Sequence, residues 1–398
     1  MEAITAPDHT HDVVVVGARC AGAATGMLLA RMGHDVVVVD RTTFPSDTLS
    51  THAVSRSGVV QLHRWGLLDA VLASGAPAIR EVSFHTADEV IVRQVKARAG
   101  VDLLVAPRRH VLDALLVDAA NDAGADVRTG LAVTGVCRDG SGRASGVVAH
   151  DTDGHPVRIR ARFVVGADGL RSGVARSVGA AMVDERHRNG SVRYTYVAGL
   201  GATGTEFHLG DGLFAGVFPT HDGEANVWVC GPVHRLGASG DDREQHFLDL
   251  VRAASPTLHE RILAGRRTAP IRGFHGMPNQ MRQAAGPGWA LVGDAGYFRD
   301  AVTGHGMSDA FRDAETLATA LDRALRGDED DDVALARYAA TRDRDAAEIF
   351  DLTCQLSSYP PPERFVALQK QLSNAIEAEA EMLAERPPVP ARSPLFAA

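Results

Sequence analysis

Gly17, Arg19, Gly22, Gly26 and Gly33 stand at the spacing G-x-R-x-x-G-x3-G-x6-G, and Asp40 follows them. Glycines so placed let a chain turn tightly out of a strand and let the next helix settle close to the sheet. That helix then meets a pyrophosphate with free N–H groups and the positive end of its dipole. A carboxylate about twenty residues further on can accept hydrogen bonds from a ribose hydroxyl. The candidate dinucleotide contacts are therefore Gly17, Arg19, Cys20, Ala21 and Gly22 at the pyrophosphate, with Asp40 and Arg41 at the ribose. Arg19 occupies the place of the middle glycine, so the backbone approach there is expected to differ.

Two later segments carry related signals. Residues 163–171 read F-V-V-G-A-D-G-L-R, a buried strand followed by a glycine-bounded turn and a helix start. Residues 289–294 read W-A-L-V-G-D, a strand ending on an acidic turn, and continue A-G-Y-F-R-D-A-V-T-G-H-G-M into an amphipathic helix. Gly304 and Gly306 flank His305 at that helix start, where exposed N–H groups suit an anionic or carbonyl-rich ligand edge. A second G-x-G-x-x-G, from Gly199 to Gly204, has no helical pattern after it and reads as a loop between strands.

Taken in order, these segments resemble class A FAD-dependent monooxygenases of the para-hydroxybenzoate hydroxylase type, built on the glutathione-reductase-type FAD fold. G-A-D-G-L-R-S at 166–172 looks like that family's DG motif, and residues 293–306 look like its GD motif. The resemblance implies Asp294 at the FAD ribityl chain, and the Gly304–Gly306 backbone with Met307 against the isoalloxazine ring. It implies Asp168 and its segment at both flavin and nicotinamide cofactor, and Arg109, within R-R-H-V-L-D-A-L-L, at FAD. The reaction implied is hydroxylation of an aromatic or other electron-rich small molecule by molecular oxygen. NADPH or NADH would bind transiently and reduce FAD, and a flavin C4a-hydroperoxide would do the hydroxylation. Tyr297 and Ala301 stand where many members carry histidine and proline, which puts the departure at the oxygen-reacting face. His52, ending a loop at 44–52 expected to run from ribose to flavin, and His305 are the candidate bases for a phenolic substrate. The bland reading of each is a histidine satisfied by its neighbours.

Two other flavoprotein types share parts of this pattern. A reductase of the geranylgeranyl-reductase type has a similar G-A-R-x-A-G opening, and oxygen uptake would separate it from a monooxygenase. A non-catalytic prenyl-binding protein of the same fold would not need all three segments. A flavin halogenase would need W-x-W-x-I-P, whereas Trp65, Trp228 and Trp289 stand alone.

Positioning such residues calls for an α/β chain: a Rossmann-like FAD-binding domain, an inserted antiparallel-sheet substrate domain and C-terminal helices. The expected FAD-binding pieces are residues 1–75, 98–181 and 277–330, with the substrate domain at 76–97 and 182–276. Helices follow at 331–386 and a flexible tail at 387–398. Residues 81–85 and 89–95 form an expected hairpin around Ala87 and Asp88, and the acidic run 328–332 reads as a solvated loop. Tyr194, Tyr196, Phe207, Phe214, Phe218 and Trp228 would line a pocket or simply fill a core. A net charge of −9 without a basic patch argues against nucleic acid. Four scattered cysteines give no C-x-x-C, and His9 with His11 in a polar N-terminal stretch is a poor metal pair, so no metal is expected. No stretch suits a membrane span or secretory signal. A cytoplasmic monomer or homodimer acting on a small molecule is the expectation.

Overall fold

Strand Thr10–Val16 carries an unbroken valine run because both its faces are buried at the centre of a parallel sheet. Val36–Asp40 flanks it on one side and Pro156–Gly166 on the other. Asp126–Thr129 extends the sheet beyond the first neighbour and Trp289–Leu291 beyond the second, both in parallel register. An antiparallel meander, Ala132–Arg138 and Ala144–His150, attaches to Pro156–Gly166. Helices Cys20–Arg31, Arg109–Ala123 and Gly306–Leu325 pack together over one face of this sheet. The computed structural model describes residues 10–86, 89–237 and 242–388.

The second sheet runs in the order 297–298, 272–282, 182–198, 224–232, 213–219, 205–210, 81–85 and 90–94. Its pairs are antiparallel except Thr205–Gly210 with Glu81–His85. Alternation along the strands sorts the side chains. Val197, Val217, Val227 and Val229 face helices Arg243–Ala254 and Pro256–Ala264, while Tyr194, Tyr196, Phe214, Phe218 and Trp228 face the rest of the molecule. Met182–Ala198 is 17 residues long, and Arg272–Arg282 passes straight through the expected boundary at 276/277. The Gly199–Gly204 stretch is a loop between strands.

Helices Asp331–Leu356 and Pro362–Ala384 close the fold. From Asp331 on the acidic run departs from the expected solvated loop. Asp330 caps the first of these helices by accepting from the Asp332 and Val333 N–H groups, and Asp331 pairs with Arg143 and Arg162, each at 2.6 Å. Carboxylates gather there because a helix N-terminus favours them. His11, described without His9, pairs with Asp35 at 2.9 Å. His9, the hairpin tip at 87–88 and tail residues 389–398 lie outside the described residues. No described helix is long and apolar enough to cross a membrane.

Candidate functional site

The parallel sheet's carboxyl ends open on a cleft of about 890 Å³. Gly17, Arg19, Cys20, Ala21, Asp40, Arg41, His52, Arg109, Asp168, Asp294, Ala301, Gly304, His305, Gly306 and Met307 all line it. Gly22 lies beneath. A Cβ on Gly22 would stand 1.7 Å from the Gly17 carbonyl oxygen, and Gly17 itself turns at φ +103°. The two glycines thus seat the helix under the turn.

Arg19 needs no glycine in its place. Its backbone is extended, with φ −87° and ψ −167°, and its side chain leaves for Asp113 at 2.6 Å and Ser46 at 3.1 Å. Asp113 is fully buried and also accepts two bonds from Arg109 Nη2, at 3.0 and 3.1 Å, and one from the Cys20 thiol. Nothing marked Asp113 in the sequence except its position four residues after Arg109, where an ion pair on one helix forms. Burial pushes the Cys20 thiol up, so it stays protonated. Burial opposes the Arg109 charge as well, but Asp113 and Asp294 hold the guanidinium above its ordinary value.

Asp40 accepts the Ala18 N–H at 2.8 Å and the Thr42 N–H at 2.7 Å, leaving a lone pair on each oxygen for a ribose. Asp168 is committed to its own turn. It accepts from the Ser172 hydroxyl and from the Gly173 and Val174 N–H groups, so its segment offers the cleft mainly backbone. Asp294 is deep in the chain, yet its carboxyl is open to the cleft. Burial pushes it up to about 6 against the pull of Arg109. Helices Cys20–Arg31 and Gly306–Leu325 both begin at the cleft without a side-chain cap. Two uncapped helix starts, a buried arginine and two carboxylates are a donor and acceptor set that fits FAD.

His305 does not reach out freely. Its Nε2 lies 2.7 Å from Glu379 of the last helix, and Glu379 also receives Arg312 at 2.6 Å. Arg312 bonds the Tyr297 hydroxyl and pairs with Asp309 at 3.1 Å, while Arg299 pairs with Asp309. Burial would raise Glu379, but His305 and Arg312 hold it well below the usual carboxylate range. Of the three potential metal ligands His305, Asp309 and Glu379, both carboxylates therefore already face guanidinium groups. A second such cluster has the rings of His85 and His208 stacked at 4.3 Å, with Glu206 held by Arg261.

His52 differs. It is fully buried at φ 66°, stacked on Tyr196 at 5.4 Å, and neither ring nitrogen has a partner among the described residues. Burial first, then Arg109 and Arg108, push it well below the ordinary histidine value, so the ring is neutral at pH 7.

Asp300 escaped the sequence reading. It precedes Ala301, is buried, and accepts the Val302 N–H at 2.9 Å, while its Oδ2 has no partner among the described residues. Burial pushes its carboxyl up to about 7. Its raised value means the fold binds a proton that the unfolded chain releases. The associated stability is complete below about pH 4 and is lost as pH rises through 7. Asp300→Asn is expected to remove that slope and melt higher than the wild type at pH 8. Calorimetry across pH 4–8 checks this, and parallel curves would refute it.

A second cavity of about 580 Å³ shares Thr51, Ala53, Ala301 and Gly304 with the cleft. Phe207, Phe214, Phe218 and Trp228 line it, and helix Pro362–Ala384 supplies a wall through Leu372 and Ile376. Of the aromatics expected at a pocket, Tyr194 instead lines the cleft and Tyr196 packs on His52.

A dinucleotide cradle, a helix-start ring site and an adjoining aromatic pocket define a flavoprotein of the class A monooxygenase-like type. The chain belongs to the FAD binding domain family, whose model matches residues 10–353. It is similar to menaquinone reductase of Mycolicibacterium smegmatis, at 30% identity over 310 residues, 74% of this chain and 72% of that protein. Digeranylgeranylglycerophospholipid reductase of Methanocella arvoryzae is 24% identical over 342 residues, covering 83% and 82%. Among solved structures, PqsL, a probable FAD-dependent monooxygenase from Pseudomonas aeruginosa, shares the fold. Its TM-score is 0.76 at 24% identity, over 91% of this chain and 100% of that one.

Proposed function

We propose that this flavoprotein is an NAD(P)H-driven monooxygenase that hydroxylates an aromatic or other electron-rich small molecule. The observation that supports the reading is the aromatic pocket meeting the cleft at Ala301 and Gly304, just before the Gly306 helix start, with His52, whose ring has no partner among the described residues, on the cleft side. FAD, when bound, supplies the redox chemistry with the nicotinamide and oxygen. The residues supply the rest. The Cys20–Arg31 helix start and Arg109 would hold the diphosphate, Asp40 and Arg41 the ribose end, and Asp294 the ribityl chain. Gly304, Gly306 and Met307 would lie against the ring. The aromatic walls exclude water and stack a planar substrate. His52, neutral and with no partner for its ring among the described residues, would accept a substrate hydroxyl's proton once the loop at Thr51–Ala53 gives way to the ligand, and His305 would position the helix start through Glu379.

Replacing His52 by alanine is expected to leave FAD bound and to lower the substrate-stimulated turnover about 100-fold. Flavin absorbance and oxygen uptake with NADPH or NADH, across a panel of phenols, measure both. Wild-type protein that oxidises NAD(P)H without oxygen uptake, while saturating a substrate double bond, would refute the hydroxylase reading. That outcome is the second reading, a flavin-dependent reductase, and the 30% identical menaquinone reductase favours it. A purified protein that takes up no FAD would instead point to a non-catalytic prenyl-binding role.

A further inference from the structure

The ionised residues lining the aromatic pocket are unevenly signed. Arg56, Arg93, Lys96 and Arg98 are cationic, and Glu377 is the one carboxylate among them. This bias occurs in a chain of net charge −9. Glu377 is taken up by Arg56 at 2.7 Å and approached by Arg98 at 3.9 Å, and Arg98 also reaches Glu381 at 3.4 Å. Arg93 and Lys96 are exposed, and neither makes an ion pair or side-chain hydrogen bond with a described residue. Strand register shows which way Arg93 faces. It opposes Val82 while Ile91 opposes Phe84, so Arg93 stands on the same sheet face as Val82 and Phe84, two pocket-lining residues.

Inside the pocket, two donors are idle. Trp228 Nε1 and Gln369 Nε2 are buried and have no acceptor among the described residues, and both residues line the cavity. Buried N–H groups are seldom left unpaired in a native protein, and a small turn of either side chain would bring its N–H to an acceptor oxygen on a ligand. The pocket therefore grades from the flavin-side residues Ala301 and Gly304, through buried aromatic walls with two open donors, to a pair of unneutralised cations in solvent.

We propose that the substrate is an anionic amphiphile. Its unsaturated or aromatic body lies at the flavin end, a carbonyl or hydroxyl oxygen meets Trp228 or Gln369, and a carboxylate or phosphate is held by Arg93 and Lys96. This rests on the pocket being the substrate site of the proposed flavoenzyme. A cationic mouth also draws anions in from a distance, which raises the association rate at low salt.

Isothermal titration of the FAD-loaded protein without nicotinamide tests it, with 2-naphthoate, 2-naphthyl phosphate and the neutral isostere 2-naphthamide as probes. At least one anion is expected to bind about tenfold more tightly than the amide at low ionic strength. That advantage should vanish in the double variant Arg93→Gln/Lys96→Gln and shrink in about 0.5 M NaCl. The tighter anion tells carboxylate from phosphate. Equal affinities, an advantage that survives the double substitution, or no binding of any probe would each overturn the proposal. No turnover is read, so the hydroxylase assignment stands or falls separately, on oxygen uptake.

Discussion

Gly22→Ala is expected to give protein holding less than about a tenth of the wild-type FAD, with a melting transition several degrees lower. The new Cβ would sit 1.7 Å from the Gly17 carbonyl oxygen and 3.1 Å from the Ala167 Cβ. Neither obstacle is a flexible side-chain tip. Moving the carbonyl means reopening the turn at Gly17, whose own added Cβ would strike the Ala167 carbonyl oxygen at 2.4 Å. The strain therefore spreads into the two segments that shape the cofactor cradle, and binding falls together with stability. Flavin absorbance relative to protein, read beside a thermal melt, measures both. Gly140→Ala is the control, because a Cβ there meets nothing within 4 Å, and it should leave both readings unchanged. Normal flavin content in Gly22→Ala would show that the helix can slide without cost, and the account of the cradle would fail.

The second large effect belongs to Glu379. Its removal takes from Arg312, which is 1% exposed, the nearest of its three carboxylates, leaving Asp309 and Asp313 at 3.1 Å, and it deprives His305 of its bond. Breaking a buried ion network from one side costs about 3–5 kcal/mol, because an Arg312 N–H and the buried His305 ring lose their acceptor in a poor solvent. For a chain of 398 residues that corresponds to a melting point about 4–6 °C lower. The pH dependence follows from the depressed value of Glu379 in the fold. Its stabilisation is present above the ordinary glutamate value of about 4.3 and is lost as pH falls through the lower folded value. Glu379→Ala and Glu379→Gln should thus differ most from the wild type near neutrality and converge with it in acid. A melting difference that is flat from pH 7 to pH 3 would contradict this.

The turn and helix start that line the cleft were legible because local geometry dictates them. A residue at positive φ with a carbonyl pressed against it has to be glycine, and Gly17 declares itself without any knowledge of the fold. Asp40 and Arg109 were legible for a similar reason, since each sits at a fixed distance from an element end. Arg19 was half legible. Its departure from the pattern was plain, but its partner Asp113 lies 94 residues further on, and only tertiary packing brings the two together. The acidic run was read correctly as a loop up to Asp330 and missed from Asp331 on, because charge alone does not distinguish a solvated loop from a helix start that has found two arginines.

Glu379 carried a signal that went unused. In helix Pro362–Ala384 the buried positions Phe365, Leu368, Leu372, Ala375, Glu379 and Leu383 recur at helical spacing. A carboxylate on an apolar stripe is a buried charge in need of a partner. Its neighbours Glu377 and Glu381 hid it, because alternating glutamates resemble an exposed surface. Asp300 gave no comparable sign. Its burial rests on close packing against the strand at Gly190, whose added Cβ would stand 1.6 Å from Asp300 Oδ2.

The wall that helix Pro362–Ala384 gives the aromatic pocket has an implication for diversification. The FAD binding domain match ends at residue 353, whereas this wall is written in a single later stretch. On the proposed reading of the pocket as the substrate site, residues such as Gln369, Leu372 and Ile376 can drift and selectivity with them, while the FAD-binding part of the chain stays untouched. Position 379 is the anchor point such a graft would have to preserve. A chimera that exchanged this stretch between relatives, keeping that glutamate, would transplant a preference for one molecule over another as a unit.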